Sequence, residues 1–329
     1  MKKYIEFSLV CSDVREMSAD VLVLKYAQGH YGVSRVVSDL LEDAGVSDVE
    51  MMPDEGDCAW VDGRQILKFG HVLWMGVPWL HDFGYDEIKK FSEDSLAVMQ
   101  ERDVCSVVYT MHGAGYGLDE KAAVFSQMSG MLEALKSGNF PNSLQEIYLV
   151  ESHYNRFKII RELLDDFLGK YQVEKGVYHL PICQKEDFPE DRPDALNQSH
   201  VFVAMPFDQE MSDVFYYGIQ APIHRHELLC ERVDQDVFTG DILMRIRERI
   251  ESSLLVVADI SGMNPNVYLE VGYAWGLQKP VVLVMKEGCQ MKFDVQGQRC
   301  VIYKTIRELE EKLSDVIAVL KPRLVGGSR

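Results

Sequence analysis

Short apolar runs and amphipathic segments alternate along the first half of the chain. Runs rich in β-branched residues are typical of strands, whereas apolar residues spaced by three and four are typical of helices. The predicted strands of this half are 3–11, 19–24, 71–76, 106–111 and 146–150. The predicted helices are 34–43, 85–102, 119–135 and 156–167. Strands that alternate with helices of this length indicate βαβ units and a mainly parallel sheet.

A polar, acidic stretch at 184–199 (QKEDFPEDRPDALNQS) interrupts this pattern. It contains two prolines and has no apolar period, so we interpret it as an exposed linker. The run 177–182 just before it is one more predicted strand, which the pattern assigns to neither half. We therefore predict a first α/β domain over 1–183, a linker over 184–199 and a second α/β domain over 200–329.

Predicted strands and helices alternate again in the second half of the chain. Its predicted strands are 201–205, 227–232, 253–260, 281–285 and 300–303. Its predicted helices are 211–221, 241–251, 265–277 and 305–320, and the tail from Pro322 is expected to be loose. Strands made of consecutive apolar residues indicate a sheet that is covered on both faces. The predicted fold class is thus α/β, with two three-layer domains built on mainly parallel sheets.

Composition and charge exclude several classes of partner. The formal net charge is −18, and no cluster of Lys and Arg stands out, which disfavours nucleic acid and anionic membranes. No apolar run reaches the roughly 18 residues of a membrane span, and the start is interpreted as a strand rather than a signal peptide. Seven scattered cysteines without a C-x-x-C pair favour reduced thiols in the cytoplasm over disulfides or a zinc site.

The second domain carries the strongest candidate chemistry. Ligands of open parallel sheets bind beyond the carboxyl ends of the strands. Asn264 is a suitable N-cap and Pro265 a suitable first residue for the helix that follows the strand ending near Asp259. Glu270 then falls in the second turn, where the positive end of the helix dipole favours the ionised carboxylate.

A fixed carboxylate at such a crevice suits cleavage of a C–N bond at ribose C1′, because positive charge develops on the sugar. We therefore predict Glu270 and Asp259 as catalytic residues. The predicted substrate-binding residues are Met205, Pro206, Phe207, Asp234, Ser261, Gly262, Asn264, Asn266 and Trp275. The alternative is that Glu270 is a solvated helix residue and that Asn-Pro-Asn is only a cap. Arg245 and Arg249 are interpreted as a solvated helix face rather than a phosphate clamp.

These residues also form a known pattern. The segments 202–207 (FVAMPF), 232–234 (RVD) and 252–284 resemble the nucleoside 2-deoxyribosyltransferase-like family and the TIR-related bacterial proteins. The resemblance implies a flavodoxin/TIR-like fold, Glu270 as nucleophile and Asp259 as a ribose or orienting partner. Where the transferases have an Asp-Gly-Thr turn before the Glu, this chain has 264–268. Hydrolysis therefore remains open beside transfer, and NAD remains open beside nucleosides.

The first half resembles the macro-like domain that precedes the catalytic domain of leucyl aminopeptidases. The similarity lies in 18–24, 56–78 and 111–123. A second ligand site is predicted at Gly113, Gly115, Tyr116 and Gly117, whose backbone N–H groups would cradle a phosphate. The alternative is a tight turn that needs glycines. The chain lacks the metal ligands and catalytic Lys and Arg of an aminopeptidase, so we predict no peptidase.

The sequence thus predicts an N-glycosidase that acts on a nucleoside, nucleotide or NAD, uses no cofactor and forms a homo-oligomer. The first domain would be its sensor or assembly module, and the family resemblance implies a role in bacterial antiphage defence. Two alternatives stay open at this point. One is a non-catalytic protein that binds a nucleotide signal, and the other is a nucleoside 2-deoxyribosyltransferase of nucleotide salvage.

Overall fold

The computed structural model describes residues 4–63, 66–80, 82–113, 117–182, 199–206, 209–233, 242–289 and 300–325. By its contacts the chain divides into two compact units. The first comprises Met1–Ala114 and Glu120–Pro193, and the second comprises Gly115–Asp119 and Asp194–Arg329. Each unit is built on its own β-sheet. Among the helices of the described residues, none combines the length and apolar character that crossing a membrane requires.

The first unit has an eight-stranded sheet. Its strands are β1 (Tyr4–Cys11), β2 (Ala19–Tyr26), β3 (Cys58–Asp62), β4 (Phe69–Gly76), β5 (Ser106–Thr110), β6 (Glu146–Glu151), β7 (Gln172–Glu174) and β8 (Val177–Pro181). The order is β3-β4-β2-β5-β6-β1-β8-β7. The five strands from β4 to β1 are mutually parallel, and antiparallel strands border them on both sides. The run 177–182 is therefore a strand of the first sheet, since β8 pairs with β1.

Helices cover this sheet, as the alternating pattern predicts. They are α1 (Val33–Asp43), α2 (Tyr85–Val98), α3 (Glu120–Ser137) and α4 (Tyr154–Leu168). Four consecutive residues of β2, from Val21 to Leu24, are at most 1% exposed, so both faces of the strand are covered. An uninterrupted apolar run is what such a central parallel strand needs.

Helices α2 and α3 approach each other closely at Gly130. A Cβ atom at this position would lie 2.0 Å from the backbone oxygen of Lys89 and 3.0 Å from the Cβ of Ser92. Because a carbonyl oxygen of a helix cannot move without breaking its hydrogen bond, the absence of a side chain at position 130 fixes the spacing of the two helices.

We expect Gly130→Ala to lower the free energy of unfolding by at least about 1 kcal/mol, because the clash outweighs the gain in helix propensity. Gly272 in the second unit is the matched control, since nothing lies within 4 Å of its Cβ position. There the same change should raise stability by about 0.5–1 kcal/mol. Urea denaturation of both variants measures the two effects. Unchanged or increased stability of Gly130→Ala would contradict the close approach.

The second unit has a five-stranded, fully parallel sheet. Its strands are β9 (His200–Ala204), β10 (Leu229–Glu231), β11 (Leu255–Asp259), β12 (Val281–Lys286) and β13 (Cys300–Tyr303). The order is β10-β9-β11-β12-β13, which is the doubly wound, flavodoxin-like arrangement. This confirms the predicted fold class. The chain changes direction across the sheet between β9 and β11, so the switch point lies there.

The helices of this unit differ from the sequence prediction in two places. They are α5 (Ala221–Arg225), α6 (Ile242–Ser252), α7 (Pro265–Gly276) and α8 (Ile306–Val325). The predicted helix 211–221 is instead a π-helix, Val214–Gln220, that continues directly into α5. The tail predicted to be loose is helical as far as Val325, because Leu320 and Leu324 continue the apolar period and pack against the core.

Two apolar layers enclose the second sheet. Alternate residues of β11 point to opposite faces, so Val257 packs on the α5 and α8 side, with Leu313. Val256 and Ala258 pack on the α6 and α7 side, with Val271. The sheet is thereby buried on both faces, and its polar groups concentrate where the strands end.

Asp119 is a buried residue of the second unit whose role the sequence did not indicate. Its carboxylate accepts hydrogen bonds from the backbone N–H of Cys230, at 2.8 Å, and from Nε2 of His224, at 2.5 Å. These bonds attach the segment around Asp119 to β10 and α5. The sequence prediction treated this residue only as the start of a helix.

Candidate functional site

The carboxyl ends of β9 and β11 lie side by side at the switch point. The register pairs Ala204 with Ala258, so Met205 and Pro206 adjoin Asp259. In sheets of this order, the crevice outside these ends is where ligands bind. Four of the predicted site residues lie at this edge: Met205, Pro206, Asp259 and Ser261.

Local hydrogen bonds hold the loop after β11 in place. Asp259 Oδ1 accepts a hydrogen bond from the backbone N–H of Ser261 at 2.8 Å. Ser261 Oγ in turn accepts one from the backbone N–H of Lys286 at 2.8 Å, which attaches the loop to the end of β12. Met263 adopts a left-handed conformation, with φ of 51°, at a cost of about 1–2 kcal/mol for a residue with a Cβ. Such strain is common at functional sites.

The start of α7 is capped as the sequence predicts. Asn264 has extended backbone angles, and its side chain accepts a hydrogen bond from the backbone N–H of Asn266 at 2.9 Å. Pro265 is the first helical residue. Glu270 follows about 7.5 Å farther along the helix axis. The cap thus determines how far the carboxylate lies from the edge of the sheet.

Glu270 lies on the inward stripe of α7. The buried residues of this helix are Val267, Glu270, Val271 and Ala274, whose spacing places them on one face. Only 7% of Glu270 is exposed. The alternative of a solvated surface glutamate is therefore wrong. Burial distinguishes Glu270 from the other glutamates in the described α-helices of the unit, which are exposed or half-buried.

Asp259 is more deeply buried and holds the site together. It is 1% exposed, and its Oδ2 accepts a hydrogen bond from the Tyr303 hydroxyl at 3.2 Å. Burial raises the pKa of Asp259 above its ordinary value, and the hydrogen bonds from Ser261 and Tyr303 partly oppose that shift. Burial and the nearby Asp259 also raise the pKa of the Cys300 thiol to about 11, so Cys300 is protonated at neutral pH.

The remaining predicted residues separate into three groups. Gly262 and Asn266 are exposed near the start of α7. Trp275 lies about 7.5 Å beyond Glu270 along the axis, away from the carboxyl edge, and packs against the apolar layer around Val271. Phe207, Asp234, Gly115 and Tyr116 lie outside the described residues.

The glycines of the predicted second ligand site satisfy backbone requirements. Gly113 and Gly117 have φ of 92° and 88°. A Cβ at Gly117 would lie 2.8 Å from the Cγ2 atom of Val233, within the same unit. At Gly117 the glycine is therefore explained by backbone conformation and packing, which favours the tight-turn alternative there.

Two arginines of α6 are largely shielded from solvent, contrary to the sequence interpretation of a solvated helix face. The side chains of Arg245 and Arg249 are 13% and 18% exposed. Arg249 Nε lies 3.5 Å from Oε2 of Glu231, which is also 3.5 Å from Nε2 of His200. The flank of α6 thus faces a buried carboxylate of β10, a long-range contact that a helical period does not indicate.

The first unit carries two buried basic residues at the carboxyl edge of its own sheet. Lys25, in β2, and His112, just after β5, are each 4% exposed. Lys25 Nζ lies 4.0 Å above the ring of Phe83, and the His112 ring lies 4.5 Å from that of Phe91. Burial and the charges of Lys25 and Arg156 hold the pKa of His112 well below its ordinary value. The sequence analysis missed both residues, although each is a polar residue at the end of an apolar run.

An ion-pair network adjoins these residues in the same unit. Arg156 Nε lies 2.6 Å from Glu120 Oε1, and its Nη1 lies 3.0 Å from Glu151 Oε2. The carboxylates of Glu120 and Glu151 are almost fully buried. Arg156 therefore connects α3 to the end of β6 through two charge-assisted contacts.

Within the described residues, no group of three His, Cys, Asp or Glu side chains is arranged to hold a metal ion. The cysteines of the same part of the chain are free thiols, among them Cys230 and Cys300.

No protein-family model and no curated protein sequence matches this chain. Among solved structures it is similar to a Trypanosoma brucei macrodomain in complex with ADP-ribose (18% identity, 48% of this chain, 68% of that chain, TM-score 0.39). A second is an Oceanobacillus iheyensis macrodomain with MES bound (15% identity, 49% of this chain, 92% of that chain, TM-score 0.40). A third is a Clostridium botulinum CMP N-glycosidase (19% identity, 36% of this chain, 99% of that chain, TM-score 0.31). Likenesses this low carry no argument, so the fold rests on strand order and register.

Asp259 should make stability depend on pH. Its pKa is higher in the folded than in the unfolded chain. The side chain therefore adds to the free energy of unfolding below its ordinary pKa near 4, and this contribution is lost as pH rises through the pKa of the folded state. Because asparagine does not titrate, the Asp259→Asn variant does not lose this stability as pH rises. We expect the stability of the variant relative to wild type to increase from pH 4 to pH 7, measured by denaturation at each pH. Asp315→Asn, at an exposed position of α8, is the control. Parallel profiles for Asp259→Asn and wild type would contradict the raised pKa.

Proposed function

We propose that the second unit is an N-glycosidase that cleaves the bond between base and sugar of a nucleoside, nucleotide or NAD, with Glu270 as the catalytic carboxylate. The observation that supports it is a carboxylate buried on the inward stripe of α7, beside the switch point of a doubly wound parallel sheet. Crevices at such points bind ligands, and this one has a carboxylate near it.

The reaction follows from the charge that develops on the sugar. As the C1′–N bond breaks, its electron pair leaves with the base, and positive charge spreads over C1′ and the ring oxygen. The Glu270 carboxylate stabilises this charge or bonds to C1′. Water then supplies hydroxide to C1′. Its proton goes to the departing base of a nucleoside or nucleotide, or to solvent when neutral nicotinamide leaves NAD. The products are a free base and the sugar with any phosphate it carries.

Asp259 has a positioning role in this proposal. Both of its carboxylate oxygens accept hydrogen bonds from the chain, from Ser261 and from Tyr303. The loop that leads into α7 is thereby held against β12 and β13. A loop fixed in this way keeps the Glu270 carboxylate in place before the substrate binds.

The first unit would act as a sensor or assembly module for this enzyme. A glycosidase that consumes NAD or nucleotides needs control, since uncontrolled cleavage would harm the cell that makes it. A regulated effector in bacterial antiphage defence fits this need and the family resemblance. The protein would work in the cytoplasm as a homo-oligomer.

A second candidate is a protein that binds nucleotide signals without cleaving them. It is favoured by Lys25, a buried cation at the carboxyl edge of the first sheet. A cation there suits an anionic ligand. Calorimetry that shows tight nucleotide binding, together with no base released after prolonged incubation, would favour this candidate over the glycosidase.

Glu270→Gln tests the proposal directly, because it keeps the shape of the side chain and removes its charge. We expect release of the free base to fall at least about a hundredfold, while the variant remains folded. The measurement is chromatography of free base after incubation with a panel of nucleosides, nucleotides and NAD.

Glu311→Gln is the matched control, since Glu311 is an exposed glutamate in α8, with 64% of its side chain accessible. It should release base at the wild-type rate. Equal rates for Glu270→Gln and wild type would refute the assignment. Including a second base in the mixture separates the third candidate, because only a transferase would build a new nucleoside from it.

A further inference from the structure

Arg232 is a buried cation at the carboxyl edge of the second sheet, and cleavage of the sugar–base bond gives it no role. It follows directly after β10, and 9% of it is exposed. β10 pairs with β9 in the register Glu231↔Phe202, so Arg232 lies level with the carboxyl-terminal part of β9. It therefore lies at the same edge of the sheet as the candidate site.

The alternation of the strand determines which face Arg232 occupies. Cys230 packs in the apolar layer that contains Phe215, whereas the side chain of Glu231 points to the opposite face, toward α6. Because successive side chains of a strand alternate between faces, Arg232 lies on the same face as Phe215. Its guanidinium carbon lies 3.8 Å from the centroid of the Phe215 ring. Phe215 belongs to the first turn of the π-helix that follows β9. The ring covers one face of the guanidinium group and so orients its plane.

The charges around the crevice decide what this cation is suited to bind. Glu270 and Asp259 place two carboxyl groups near the switch point, and the chain as a whole has a formal net charge of −18. An anionic ligand would be repelled from such a site unless a local positive charge compensates. A planar guanidinium group binds phosphate through two parallel hydrogen bonds, a geometry that carboxylates and hydroxyls do not offer.

We propose that Arg232 binds the 5′-phosphoryl group of the substrate, so that the site takes nucleotides in preference to unphosphorylated nucleosides. The inference rests on the proposed function for the location of the sugar, but it concerns binding and not bond cleavage. Mononucleotides and NAD share the chemistry that Arg232 recognises, a phosphate attached to C5′ of the ribose.

Binding is measured by titration calorimetry with the full-length Glu270→Gln variant, which leaves the ligand intact. The probes are the four common ribonucleosides, their 5′-monophosphates, NAD and nicotinamide riboside. We expect at least one phosphorylated probe to bind roughly ten- to a hundredfold more tightly than its unphosphorylated partner, the range of a charged hydrogen bond. A preference for NAD over all mononucleotides, or the reverse, identifies which source of the phosphate the site takes.

Adding Arg232→Gln should reduce this preference to less than about threefold. Arg232→Lys, which keeps the charge and the packing of the aliphatic stem, should retain part of it and confirms that the effect is not misfolding. Arg307→Gln removes the same charge from α8, where the side chain is 86% exposed, and should change nothing. The proposal is overturned if no phosphorylated probe is preferred, if none binds, or if the preference survives Arg232→Gln.

The two proposals fail in different ways. If the phosphate preference depends on Arg232 but wild-type protein frees no base from any probe, the glycosidase proposal fails and the phosphate site stands. If wild-type protein frees base equally well from nucleosides and monophosphates, and Arg232→Gln does not change the ratio of kcat/KM, the glycosidase proposal stands and the phosphate site fails.

Discussion

The reversal of strand order between β9 and β11 is the constraint on which the second unit depends. It sends the connections after these two strands to opposite faces of the sheet and leaves a crevice between them. The start of α7 must then lie at the carboxyl edge, and its inward stripe must pack on the sheet. Glu270 lies within that stripe, so the packing that stabilises the unit also removes the carboxylate from bulk water. Burial of this kind costs several kcal/mol per ion.

Asp259 explains how the loop keeps its conformation despite strain at Met263. The carboxylate is shared between the turn at Ser261 and the hydroxyl of Tyr303, so one buried side chain connects the ends of β11 and β13. Its raised pKa is a consequence of that burial. These hydrogen bonds attach the loop that leads into α7 to the ends of β12 and β13.

The sequence predicted most elements and the cap of α7, because these depend on local period and on single residues such as Asn264 and Pro265. It did not predict that Arg249 is shielded from solvent, because the partner of this side chain, Glu231, lies on another element. Asp119 was missed for the same reason, since its partners are about a hundred residues away. Edge strands β3 and β7 were missed because they are short and, in β7, fully exposed. The assignment of Glu270 as the catalytic residue stays a prediction, and the burial of its side chain is consistent with that prediction.

A crystal structure of the Glu270→Gln variant with its tightest-binding nucleoside or nucleotide tests the central claim most directly. The quantity to measure is the distance from the anomeric carbon to the side-chain oxygen at position 270. We predict about 3–3.5 Å, the separation of a reactive arrangement, with the sugar in the crevice between β9 and β11. A ligand bound elsewhere, or a sugar whose anomeric carbon faces away from α7, would contradict the account.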